Sequence, residues 1–153
     1  VKYAITEVGV LSYRAVADDF DPADLAENER LVDALPQEFL DRMAAAELLA
    51  SQTAQLNALT RQANAQVSAL AGRVSTLDYL INGQDEEDPD YMAPTAAEIA
   101  ELPQRKTQLK AWNTYTVKLG RVTGAAGWPA TPTWPVMPEP YTSETSALSA
   151  PTE

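Results

Sequence analysis

The chain has 153 residues, with 22 Asp plus Glu against 11 Lys plus Arg, for a formal net charge of -11. Histidine and cysteine are both absent, which excludes Ser-His-Asp and Cys-His nucleophiles, Cys/His zinc sites and any disulfide frame. The acidity argues against nucleic acid or an anionic membrane as a partner, because like charge repels both.

Residues 1–16 are rich in Val, Ile and Tyr, with partial alternation through Ile5, Val8, Val10 and Tyr13. They predict one or two short strands with Gly9 as a bulge or turn. The opening Val1-Lys2-Tyr3-Ala4-Ile5 lacks the longer apolar region of a secretory signal. No uncharged apolar run approaches the roughly 20 residues of a membrane span. The expectation is a soluble protein that stays in the compartment where it is made. Asp18-Asp19-Phe20-Asp21-Pro22 reads as a turn cluster, and a short acidic helical turn is predicted from Leu25 to Val32.

Pro36 suits the first turn of a helix, where its missing N–H costs nothing. From there to Ile81 the chain has no further proline and one glycine, Gly72. Leu49, Leu56, Ala63, Leu70 and Leu77 recur every seven residues, and Thr53, Thr60, Val67, Val74 and Ile81 follow each by four. An unbroken helix of this length would reach roughly 70 Å, longer than so small a domain can cover. Part of the stripe must therefore pack on a second helix of the chain or on another chain. An internal hairpin and a coiled-coil self-association both satisfy that requirement, although the Thr positions and Ala63 make a weak coiled-coil seam.

Asn82-Gly83 is predicted to end the helix with a left-handed glycine cap. Gln84 to Pro94 is then an acidic loop, and Thr95-Ala-Ala-Glu98 a capping box. Pro103 predicts a kink between a short helix and a second one from about Gln104 to Arg121. The apolar face of that second helix is Leu109, Trp112, Tyr115, Thr116 and Leu119. Its bases, Arg105, Lys106, Lys110, Lys118 and Arg121, stand in a stretch without acids. They either dock on the protein's own acidic segments or bind an acidic partner. Pro129, Pro132, Pro135 and Pro138 fall at intervals of three, the period of a polyproline II rod. Trp128, Thr131, Trp134 and Met137 would line another edge of it, along roughly 40 Å. Beyond Tyr141 the Ser, Thr, Ala and Glu residues predict disorder.

The predicted organisation is thus a β-containing region over 1–35, a long helix over 36–83, an acidic loop over 84–94, a helical region over 95–122 and an extended tail over 123–153. The fold class is mostly α (α+β). Asp19, Asp21 and Asp24, and likewise Asp85-Glu86-Glu87-Asp88, lack the glycine and terminal Glu of a calcium loop. No P-loop, dinucleotide fingerprint or paired carboxylate is placed for catalysis. No metal, cofactor or catalytic residue is expected, and the chain reads as a non-enzyme. Trp112 on an apolar helix face is more often core than contact. Trp128 and Trp134 either strap the chain's own helices or form an interface, where an apolar body with an N–H handle is favoured.

Leu109-x-x-Trp112-x-x-Tyr115-x-x-x-Leu119-x-Arg121-Val122, followed by Trp128-Pro129 and Pro132, resembles the C-terminal signature of phage tail fibre assembly proteins. Ala93-Pro94-Thr95-Ala96-Ala97-Glu98 is similar to the capping segment that precedes it in that family. The close similarity covers roughly residues 93–132. It departs at Asn113 and Thr116, in the acidic insert Gln84–Asp90, and in the prolines after Pro132. The resemblance implies a tail fibre chaperone that binds the distal part of a trimeric fibre, in the host bacterial cytoplasm and in some relatives also in the virion. The partner-contacting residues would be Trp112, Tyr115, Trp128, Pro129, Pro132, Trp134 and Met137. The alternative is a structural virion component, a fibre cap or collar, that forms a homo-oligomer through the long helix.

Overall fold

A computed structural model describes residues 1–142. The expected disorder beyond Tyr141 falls, apart from Thr142, outside these residues. The protein is mostly helical with a small three-stranded sheet, and it divides into two compact units, Val1–Thr53 and Ala54–Glu153.

In the first unit, β1 (Lys2–Thr6) pairs antiparallel with β2 (Ser12–Val16) on one side and β3 (Glu29–Val32) on the other, in the order β2-β1-β3. The hairpin loop between β1 and β2 turns at Gly9, whose φ of +78° is strained for any residue with a Cβ. Ile5 opposes Tyr13, and Tyr13 meets Phe39 edge to face with ring centroids 6.5 Å apart. Ile5 and Phe39 are fully buried, so this face is the unit's apolar core. On the opposite face, small Ala4 in the middle strand lets Arg14 cross over it to the far strand. Its Nε and Nη2 donate to Glu29 Oε1 and Oε2 at 3.0 and 2.8 Å.

Residues 25–32 do not form the predicted helical turn. Asn28, at φ +71°, and a turn closed by Glu29 N donating to the Ala26 carbonyl redirect the chain into β3. Pairing with the open edge of β1 supplies backbone hydrogen bonds that a lone acidic helical turn lacks, so tertiary context overrides local propensity.

The helix α1 (Gln37–Asp78) begins where Pro36 predicts, the Pro36 carbonyl accepting from Leu40 N at 3.1 Å. It contributes to both units. It runs into a π-helical turn, Tyr79–Gly83. The boundary agrees with the sequence, but the left-handed cap does not form. A Cβ at Gly83 would meet Tyr79 Cδ2 at 3.0 Å, a tight approach to the ring of an exposed side chain. Gln84 then closes the acidic loop: its amide donates to the carbonyls of Leu80 and Met92, while its Oε1 accepts from Met92 N.

In the second unit, α2 (Ala96–Gly120) starts with the predicted capping box, Glu98 N donating to Thr95 Oγ1 and Thr95 N to Glu98 Oε2. It is one continuous helix through Pro103, not two. An interior proline costs about 3 kcal/mol. Trp112, Tyr115 and Leu119, all buried on α2, each contribute roughly 1.5–3 kcal/mol by burial, which outweighs that cost. Glu101 also pins the helix beside the proline, accepting from Arg73 Nη2 at 2.6 Å and from Arg105 Nε at 2.8 Å.

The seven-residue stripe divides along its length. Ala63, Leu70 and Leu77 are fully buried, and Leu56 packs partly against the core that Trp112, Tyr115 and Leu119 share with Ala63 and Leu70. This part of the stripe is covered by an internal helical hairpin. Leu49, in the first unit, is 46% exposed. No described helix is long and apolar enough to cross a membrane.

Candidate protein-binding surface

The C-terminal segment after α2 crosses the helical core of the second unit as a strap, and the anchors are specific. Trp112, wholly buried, donates from Nε1 to the Glu139 carbonyl at 3.2 Å. Tyr141 N donates to Gln66 Oε1 at 2.8 Å, and the Tyr141 ring, buried, lies under the Arg105 guanidinium at 4.6 Å. Trp134 and Met137, upstream of these anchors, are partly buried against the same core. Gln66 and Tyr141 were not singled out by the sequence, because a lone Gln on a polar helix and a Tyr after Pro140 carry no periodic signal.

The rod predicted over 128–140 is shorter than expected. Residues 126–131 form a turn in which Thr131 N donates to the Gly127 carbonyl at 2.7 Å, and the Trp128–Pro129 bond is cis. In an uninterrupted polyproline rod, Trp128 and Trp134 would stand about 19 Å apart. Here their ring centroids lie 6.1 Å apart at 85°, an edge-to-face pair. The turn depends on Gly127, since a Cβ there would fall 2.1 Å from the Thr131 carbonyl oxygen. The extended segment therefore starts only at Pro132.

The expected contact residues accordingly separate into two groups. Trp112 and Tyr115 are sealed in the core, Trp112 at 0% and Tyr115 at 3% exposure. Burial raises the Tyr115 phenol pKa above its ordinary value. These two side chains hold the strap and are not free to touch another protein. Trp128, Pro129, Pro132, Trp134 and Met137 remain half-buried. Val136 on the same strap stands 93% exposed. Beside the strap, Lys118, Arg121, Val122, Ala125, Thr133 and Pro135 line an open groove of about 270 Å³.

No protein-family model, curated protein or solved structure matches this chain. The reading of the site rests on its own chemistry. A half-exposed indole pair, a bare valine and a shallow groove with an apolar floor offer van der Waals contact and N–H donors to another polypeptide. Among the described residues, no group of three or more carboxylates is placed to hold a metal ion. Asp85 and Asp88 accept instead from the backbone N–H groups of Glu87 and Asp90 within their own loop.

Proposed function

We propose that this chain is an assembly chaperone for a phage tail fibre, binding the distal part of the trimeric fibre by contact and without catalysis. The observation that carries the reading is the Trp128–Trp134 pair, partly exposed at the start of a strap that is pinned to the helical core at Glu139 and Tyr141. The family resemblance over residues 93–132 names the partner class. Physical chemistry supports the pairing. Trimeric fibre tips form slowly by non-local β pairing and expose apolar edges before the chains meet. A soluble acidic clamp with rigid aromatic anchors suits such edges, and binding the assembling form shifts its population by mass action. The site of action is the host cytoplasm during assembly, with retention in the virion tail as a further expectation.

Co-expression with the fibre encoded beside it should raise the yield of soluble, trimeric fibre and co-purify it. Trp128→Ala is the sharper variant, because Trp134 also packs on the core. It should weaken the complex and leave helical content intact. Fibre yield and trimer content unchanged by the protein's presence would refute the proposal.

A different observation favours the alternative. Leu48 and Leu49 are exposed on α1 at 38% and 46%, and a fibre cap or collar could self-associate there. An oligomer broken by Leu49→Glu, together with recovery of the chain from purified particles, would select that reading.

A further inference from the structure

On α2 the outward face is basic. Lys106, Lys110, Val117 and Arg121 recur at spacings of four or seven, with Lys118 flanking them, opposite the buried Trp112, Tyr115 and Leu119. No acid stands between Glu101 and Glu139 in the sequence. Two of the helix's bases are engaged near its start: Arg105 with Glu101 and, at 4.0 Å, Lys106 with Asp78. Lys110, Lys118 and Arg121 make no ion pair among the described residues. Lys106, Leu109, Lys110, Asn113, Thr114 and Val117 border a shallow depression of about 380 Å³ on this face.

At the other end of the same unit, Asp85, Glu86, Glu87, Asp88 and Asp90 are exposed and make no ion pair among the described residues. The loop that carries them is tied to Leu80 and Met92 by Gln84. The two charge clusters cannot neutralise one another within one chain. From Ala96 to Lys118 the helix rises about 33 Å, against a Debye length of about 8 Å at physiological salt.

We infer that the basic end of α2, at Lys118 and Arg121, docks the Asp85–Asp90 loop of a second copy of this chain. Two copies related by a two-fold axis, with their α2 helices antiparallel, form this contact twice. Each copy then supplies five carboxylates to the other's uncompensated bases. In a chain of net charge -11, such local pairing is what offsets the mutual repulsion of two like-charged bodies. Lys118 and Arg121 also line the groove beside the strap, so a second copy docked there would compete with a partner for that groove.

Sedimentation of the full chain over a concentration series tests this, at about 0.01 M and about 1 M salt, where the Debye length falls from about 30 to about 3 Å. A dimer is expected at low salt, weakened about tenfold or more at high salt. Lys118→Glu with Arg121→Glu should give a monomer, and so should Glu86→Lys, Glu87→Lys and Asp90→Lys together, which leave the loop with a net positive charge and spare the Asp85 and Asp88 side chains that accept from its backbone. Mixing the two variants should restore a heterodimer, because at each contact one chain then presents the opposite charge to the other. Circular dichroism on each variant confirms that these exposed positions leave the fold intact. A wild-type monomer at low salt overturns the inference. So does a dimer that survives either charge reversal, a mixture that fails to reassociate, or a dimer lost on Leu49→Glu instead.

Discussion

The indoles of Trp128 and Trp134, six residues apart in the sequence, meet edge to face at 6.1 Å. The turn between them folds the strap back, and Gly127 makes that turn possible by letting the Thr131 carbonyl approach where a side chain would stand. The aromatic pair is thus a consequence of a missing Cβ.

Gly127→Ala should open the turn and separate the rings. A backbone clash at 2.1 Å cannot be relieved by rotating a side chain, so a loss of about 1–3 kcal/mol is expected. Near-ultraviolet circular dichroism should lose the signal of the coupled indoles while far-ultraviolet helicity persists. Retention of the coupled signal would show that the turn does not set the pair.

Pro103→Ala should stabilise the second unit. The proline lies in the interior of α2 with its ring exposed, and the Ile99 carbonyl there lacks the N–H it would normally meet. Recovering helix propensity contributes about 3 kcal/mol, and the freer unfolded chain takes back about 0.4–1 kcal/mol. A rise in thermal midpoint is expected; a fall would mean that Pro103 relieves a packing strain.

Acid should loosen the hairpin through Glu101. Hydrogen bonds from Arg73, with further help from Arg105 and against the opposing effect of burial, hold its carboxyl pKa at about 2, where an unfolded glutamate titrates near 4.3. A lowered folded-state value means the unfolded chain binds the proton more readily. The stabilisation is therefore complete above about pH 4.3 and is lost as pH falls toward 2. Glu101→Gln should cost about 1 kcal/mol at neutral pH after allowance for solvent screening. Urea unfolding of both proteins across pH 2–7 should show the difference between them vanishing at the acid end. Glu29, held at about 2 mainly by Arg14, acts in the first unit of both proteins and cancels in that comparison.

Local chemistry was enough to read several elements directly. The capping box at Thr95 and Glu98, the start of α1 after Pro36, the strands around Gly9 and the buried run of Ala63, Leu70 and Leu77 each rest on contacts within a few residues or on a regular period. Such signals act before the chain is folded, so composition and spacing carry them. Excluding histidine and cysteine chemistry likewise needed only the residue inventory.

Other features depended on which surfaces met. Residues 29–32 became a strand because β1 presented a free edge, and α2 ran through Pro103 because burial of Trp112, Tyr115 and Leu119 outweighed the local cost. The strap took its path from Gln66 and the Trp112 indole, lying 75 and 27 residues from their partners Tyr141 and Glu139. No period or propensity encodes a hydrogen bond between positions so far apart. It exists only once the hairpin has closed and desolvated the groups that need it, and that is why the same proline-rich stretch, read alone, was compatible with both a free rod and a strap.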